Sequence, residues 1–545
     1  MICMIRRMCP CRLRVLFLLL ALASPAAHAA ARSDAGYAAL PGRPAPQEGA
    51  LLEKVYAGHA GPLWSGASRV TPQGAALAAT LLRARDFGLN PRDYAAASIA
   101  ALEARLAVSA APPLADRMRF DVALTRAAIR LVSNLHYGRV DPRAAGFEIG
   151  PRREDLDVAA AVRALASTTD VARALAAVEP PFLHYRLLEH ALAFYRALQA
   201  EPGLTQLPPL PGRALRAGDS YAGAETLRRR LRAVGDLAPA VGADSGTAID
   251  PALDAALMRF QERHGLNVDG ILGRQTFAVL TTPMAVRVRQ IELTLERWRW
   301  LPAFTAPPII VNIPQFRLFA FPTVLDRAAG LLQMPVIVGE AYPRTSTPVF
   351  TGSLTTVVFR PYWDVPRSIT LREMLPQIRA HPGYLARNHL ELVAGQRDAS
   401  PVVAPSPAAI AALAAGRLRL RQRPGADNAL GLIKFIFPNA HDVYMHSTPA
   451  RHLFARSRRA FSHGCIRVSE PVALARYVLR QGPGVWDDAR IQAAMNGADA
   501  MRVTLPHPVP VMILYGTAVA TESGRVLFFD DLYGQDRKLE ALLRR

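Results

Sequence analysis

Cysteine is scarce in this chain and badly placed for cross-linking. Of the four cysteines in 545 residues, Cys3, Cys9 and Cys11 precede or open the first apolar run, which leaves Cys465 as the last one. A lone thiol cannot close an intramolecular disulfide, so no disulfide framework is expected to hold the fold. Lysine is scarcer still. Lys54, Lys434 and Lys538 are the only three, and nearly all the positive charge is arginine scattered through helical patterns. Without a basic block, the formal net charge of +21 gives no nucleic-acid footprint. It suits an anionic polymer or membrane surface better. Paired cysteines at ligand spacing and an HExxH motif are also absent, and with them the common zinc signatures. No apolar run reaches the ~20 residues that a spanning helix needs.

What is present begins with the N-terminus. Arg6, Arg7, Arg12 and Arg14 precede the apolar run Val15–Ala23, and Ala27-His28-Ala29 follows. That order reads as an export signal over residues 1–29, cleaved to leave a chain without a transmembrane segment in an exported compartment, the periplasm. A membrane anchor is the other reading, and the run is too short for it. Removing the four arginines takes the formal charge from +21 to +17. No cysteine follows the apolar run in the position a lipid attachment would use. In an oxidising compartment, the surviving thiol of Cys465 is a liability that calls for a reason.

Length and a hydrophobic fraction of 51% predict about three ordered domains. The expected fold class is multi-domain α+β. Residues 34–211 read as an all-α scaffold, with a capped helix after Thr71 and longer helices in "ADRMRFDVALTRAAIRLVSNLHYGRV" and "PPFLHYRLLEHALAFYRALQAE". A Pro-rich "LPPLPGRAL" closes it. Residues 214–283 imply a three-helix module over Ala224–Val234, Pro251–His264 and Gly273–Leu280, with a small core of Leu257, Phe260 and Phe277. A connecting helix, 284–300, leads into a mostly-β domain over 301–530, with a predominantly helical lid inserted at about 368–423 and a C-terminal tail at 531–545.

The chemistry gathers around "AFSHGCIRVSE". Cys465 there is core filler, a metal ligand or a nucleophile. Ser462, His463 and Arg467 are poor core neighbours. His446, His463 and Cys465 could bind zinc at an open site, whereas nucleophilic catalysis uses every group present. His446 ends the probable strand "DVYMHS", whose alternation puts Tyr444 and His446 on one face, a sensible place for a general base. Arg467 favours a thiolate or holds a carboxylate, and Gly464 lets backbone N–H groups approach a developing oxyanion.

The module sequence "LMRFQERHGLNVDGILGRQTFAVL" resembles the peptidoglycan-binding three-helix module. "HSTPARHLFARSRRAFSHGCIRV" is similar to the signature of L,D-transpeptidases with a YkuD-like catalytic domain. The likeness extends through "VNIPQFRLFAF", "VIVGEAYPRTSTPVF", "PYWDVPRSI" and "NALGLIKFIFPNAHDVYMHSTP", as in the large periplasmic type with a scaffold, a binding module and an inserted lid. Fifteen residues separate His446 from Ser462, shorter than in many Gram-positive relatives.

The resemblance implies Cys465 as nucleophile and His446 as general base. His463, Ser462, Gly464 and Arg467 would shape the pocket and oxyanion site, and Tyr444 and Trp363 would line the donor groove. It further implies thioester chemistry on tetrapeptide stems, release of D-alanine, 3→3 cross-links, carbapenem acylation and no cofactor. Partners would be peptidoglycan stem peptides and glycan, together with other cell-wall synthesis enzymes. An L,D-carboxypeptidase, a hydrolase freeing protein from peptidoglycan and a non-catalytic wall-binding protein are the alternatives. A sortase-like enzyme shares the His-then-Cys order but not the Ser-His-Gly-Cys stretch.

Overall fold

Thr71 shows how local chemistry sets the helical N-terminal part. Its Oγ1 accepts from the Gly74 amide at 3.0 Å and Pro72 occupies the first turn, so the helix Pro72–Leu82 starts there. The computed structural model describes residues 46–150, 155–239, 246–324, 330–341, 345–397, 399–482 and 484–544. The expected export signal lies outside them. The helix Leu114–Tyr137 buries Phe120, Leu124, Ala128, Leu131 and Leu135 at three- and four-residue spacing. Its neighbours close a core on the fully buried Trp64, whose amide donates to the Asp121 carboxylate at 2.7 Å and whose indole N–H donates to Thr125 at 2.8 Å.

The helix Leu183–Ala200 behaves differently from the others read as scaffold. It lies along the connecting helix Met284–Arg299, and its buried Tyr185, Leu188 and Leu192 join the core of the C-terminal half. The amphipathic pattern marked a helix but not the surface it covers.

The module forms helices Ala224–Ala233, Pro251–Arg263 and Arg274–Leu280 around Leu227, Leu257, Phe260 and Leu272. Phe277 is only partly buried against that core. Gln261 fixes the tight turn: its Oε1 accepts from Asp269 and Gly270 amides, and its Nε2 donates to Asp269 and to the Ile271 carbonyl. The module is tied to the rest by Arg263, which is buried and bridges Asp236 at 2.5 Å while donating to the Val526 carbonyl at 2.9 Å.

The C-terminal half is built on a nine-stranded sheet among the described residues. In spatial order its strands are Ala460–Ser462, Leu332–Gly339, Ile466–Val468, Met445–His446, Ile433–Ile436, Thr351–Phe359, Met501–Leu514, Ile309–Asn312 and Arg317–Ala320. Arg317–Ala320 also pairs with Leu332–Gly339, which closes eight of these strands into a barrel and leaves Ala460–Ser462 as a short outer strand paired only with Leu332–Gly339. The inserted segment carries strands as well as the expected helices. Trp363–Asp364, Leu390–Val393, Val402–Val403 and Arg419–Gln422 form a separate four-stranded sheet with its own small core. Ala-rich composition reads as helix, and these short strands are specified by their partners across the sheet. The C-terminal residues contain a helix, Gln535–Leu543, anchored where Asp536 accepts from Arg297 at 2.5 Å and from Thr517 at 2.7 Å.

Candidate active site

Asn439 prepares the strand that carries the histidine. Its side chain bonds the backbone of Phe437, His441 and Val443, closing a turn before the chain enters the barrel. The strand Met445–His446 then pairs parallel with Ile466–Val468, Met445 against Ile466 and His446 against Arg467. Met445 and Ile466 are fully buried, so the alternation sends Tyr444, His446, Cys465 and Arg467 to the other face. The pairing continues one position back, where the Ile466 amide donates to the Tyr444 carbonyl at 3.0 Å. Cys465 therefore stands beside Tyr444, with His446 and Arg467 next along.

His446 is 4% exposed, and its Nδ1 lies 2.6 Å from the Ser447 carbonyl. A carbonyl oxygen only accepts, so Nδ1 carries the proton and Nε2 is left as the basic nitrogen. Burial first, then the charges of Arg467 and Lys434, hold the imidazole down to about 3, so it is neutral near pH 7. The Cys465 thiol is pushed up by burial, against the amide and hydroxyl of Tyr444 and the charges of Lys434 and Arg467, which favour thiolate. At rest the pair is thus a thiol and a neutral base. The thiol itself leans on the Asp442 carbonyl at 3.8 Å.

Tyr444 is the hub of this face. Its ring lies 5.7 Å from that of His446, and the Lys434 ammonium sits 3.9 Å from its centroid. Trp363, partly buried on the first strand of the insertion, hydrogen-bonds to it. Desolvation and the neighbouring Cys465 raise the phenol well above its ordinary range, keeping it protonated.

The Cys465 loop is held from below. Ser462 Oγ donates to the Cys465 carbonyl at 2.5 Å and accepts from the Gly464 amide at 3.2 Å. That amide, assigned from sequence toward an oxyanion, is thus already engaged within its own turn. Gly464 has φ +121°, which a residue with a Cβ rarely adopts. Its carbonyl accepts from Thr347, whose Oγ1 in turn accepts from the Gly339 amide, both at 2.8 Å. Tyr533, from the chain's last stretch, donates to the Gly339 carbonyl at 2.6 Å. His463 is exposed and meets Glu373 of the insertion at 2.9 Å, so it links the motif to the lid. Arg467 keeps a buried Nε without a hydrogen-bond partner among the described residues.

Sequence reasoning missed Lys434, Asn439, Thr347, Glu373 and Tyr533. Only Lys434 left a trace, as one of three lysines, set in an otherwise apolar strand. Among the described residues, no group of three or more His, Cys, Asp or Glu could hold a metal ion.

This geometry coincides with a known class. Residues 307–503 match the L,D-transpeptidase catalytic domain of the YkuD family, and they contain Tyr444, His446 and Cys465. Residues 50–192 match a scaffold domain and residues 220–280 a peptidoglycan binding domain. The chain is therefore a scaffold-bearing protein with a peptidoglycan binding domain and a YkuD-type L,D-transpeptidase catalytic domain.

Its individual likenesses are narrower. It is 32% identical over 255 residues to a Haemophilus influenzae protein whose name assigns it provisionally to the L,D-transpeptidases. That stretch is 46% of this chain and 49% of the relative, so the match spans about half of the relative's length. An L,D-transpeptidase structure from Xylanimonas cellulosilytica is 16% identical, covering 56% of this chain and 100% of its own, at a TM-score of 0.17. A fused Zn-dependent amidase/peptidase/peptidoglycan-binding protein from Clostridium acetobutylicum is 13% identical, covering 55% and 99%, at a TM-score of 0.15.

Proposed function

We propose that the chain is a cysteine acyltransferase acting on peptidoglycan tetrapeptide stems. The observation that carries this reading is the placement of Cys465 and His446 on one face of adjacent parallel strands, with the histidine neutral and protonated on Nδ1. His446 Nε2 takes the thiol proton as Sγ attacks the carbonyl of the third stem residue. The tetrahedral intermediate collapses, the C–N bond to the terminal D-alanine breaks, and the imidazolium returns the proton to the leaving amine. The resulting thioester is opened by a side-chain amine of a second stem, which restores the thiol and forms a direct 3→3 cross-link.

Tyr444 and Trp363 line the donor groove in this scheme, and Arg467 holds a stem carboxylate or the developing charge. The peptidoglycan binding domain supports the polymer as substrate, and domains of this kind fit an extracytoplasmic place of action. No helix among the described residues is long and apolar enough to cross a membrane.

Mass spectrometry of a digest with disaccharide-tetrapeptide tests the assignment. Cross-linked dimer and free D-alanine are expected, both lost in Cys465→Ala. D-alanine release without any dimer would replace the transferase by an L,D-carboxypeptidase.

A further inference from the structure

A cleft of about 610 Å³ lies between the peptidoglycan binding domain and the barrel, and its lining includes neither Cys465 nor His446. One wall is the end of the helix Pro251–Arg263 and the residues after it. The other is made by Phe316 and Arg317 of the barrel and by Arg458 and Arg459. Arg525 also lines it.

The charge in this cleft is unbalanced. Arg317, Arg458, Arg459 and Arg525 share it with two carboxylates, Glu262 and Asp530, and none of the four arginines forms an ion pair among the described residues. Arg263, also on the wall, is taken up by Asp236. Arg459 donates only to carbonyls, of Arg456 at 2.6 Å and Phe316 at 3.3 Å, and keeps a buried Nε unpartnered. Its guanidinium lies 5.4 Å from the Phe316 ring centroid, which fixes its plane. Burial and the like charge of Arg317 push it down to about 10, the mark of cations crowded together without a counter-ion. Guanidinium groups in this state bind carboxylates as paired hydrogen bonds.

We propose that this cleft is a second binding site, which takes the free carboxylates of a peptidoglycan stem on Arg317, Arg458 and Arg459. The choice of polymer rests on the acyltransferase reading above; the preference for a carboxylate rests on the arginines alone. Arg459 is six residues before Cys465, so the cleft is at most about 20 Å along the chain from the thiol. A stem held here would lie against the binding domain, which forms one wall of the cleft.

Hydrogen exchange on the full chain carrying Cys465→Ala tests this without turnover. Disaccharide-tetrapeptide should slow exchange several-fold at residues 314–317 and 457–460, and the same muropeptide with its carboxylates amidated should not. Arg317→Glu with Arg458→Glu should abolish the protection; Arg458→Gln with Arg525→Gln, at two exposed positions, should weaken it if the first pair disturbs folding. Absence of protection in the cleft, or equal protection by the amidated compound, overturns the proposal. Protection by polyphosphate but not by the muropeptide overturns it as well, in favour of a phosphate polymer. Exchange at 444–446 and 462–467 reports the thiol site separately, so failure of the acyltransferase reading would be seen apart from failure of the cleft.

Discussion

His446 owes its basicity to its surroundings, and the same surroundings make it a cost at low pH. The folded chain holds the imidazole at about 3, whereas an unfolded histidine takes its proton near 6.5. Between those values the unfolded chain binds a proton that the folded chain refuses. Stability is therefore full above pH 6.5 and falls as pH drops through the window, by at most about 1.4 kcal/mol per unit. His264, buried and also held well below its ordinary value, adds to the slope. His446→Gln is expected to lose less melting temperature between pH 7 and pH 4 than the parent chain; parallel curves would show that His446 is not buried neutral.

The thiol makes the complementary prediction. Since burial raises Cys465, its alkylation by iodoacetamide should climb with pH beyond the ordinary cysteine value of about 8.5, without a plateau at neutral pH. Lys434→Met should slow it a few-fold at pH 7, because that ammonium favours thiolate. A plateau between pH 5 and 7 would instead mark a preformed thiolate–imidazolium pair.

At the level of elements, the site is a parallel pair of two- and three-residue strands, too short to hold themselves. Their position depends on turns. Gly431, at φ +60°, packs so closely under the histidine strand that a Cβ there would lie 2.2 Å from Ser447 Oγ and 2.8 Å from the Thr448 amide. Gly431→Ala is expected to cost about 1–3 kcal/mol and to slow Cys465 acylation, read by thermal melting and by β-lactam labelling. Unchanged melting would show that the loop yields freely. The lid link behaves otherwise: His463 and Glu373 are both about half exposed, so their pair contributes little to stability. Glu373→Gln should raise hydrogen exchange in residues 367–380 while leaving the melting temperature in place.

The legible part of the site follows from this layout. The three-residue strand Ile466–Val468 is too short to show a period. "DVYMHS" displays its period of two, and "SHGC" gathers chemistry-bearing side chains within four residues, so the histidine strand, the shared face of Tyr444 and His446 and the candidate thiol could be read directly. Thr347 and Tyr533 could not. Thr347 bonds the Gly464 carbonyl from 118 positions before Cys465, and Tyr533, 68 positions after it, bonds Thr347 and Gly339 behind that contact, through hydrogen bonds that leave no local pattern. The insertion's strands were hidden for a similar reason, since "RLRLRQ" acquires its meaning only when it pairs with Leu390–Val393. Gln261, by contrast, was visible as part of the module's Phe-Gln pair because all its partners lie within fifteen residues.

Across the whole molecule, buried arginines join the parts. Arg263, paired with Asp236 inside the binding-domain match, joins that domain to Tyr195 of the helix Leu183–Ala200 and to the Val526 carbonyl in a separate two-stranded hairpin, Ala518–Ala520 with Val526–Phe528. Removing its carboxylate leaves a buried cation unpaired, so Asp236→Ala should cost about 3–5 kcal/mol and expose the 201–224 segment to limited proteolysis. Wild-type protease resistance in a variant of unchanged melting would mean that the domain docks without this pair.

The thioester is the centre of the functional reading, and it can be seen directly. Intact-mass spectrometry of the chain after rapid acid quench with disaccharide-tetrapeptide should find a population heavier by the muropeptide less D-alanine, with fragmentation placing the added mass on Cys465. Cys465→Ala should show neither the adduct nor free D-alanine. Release of D-alanine by that variant, or an adduct mapped to any other residue, would contradict the assignment of Cys465 as the nucleophile.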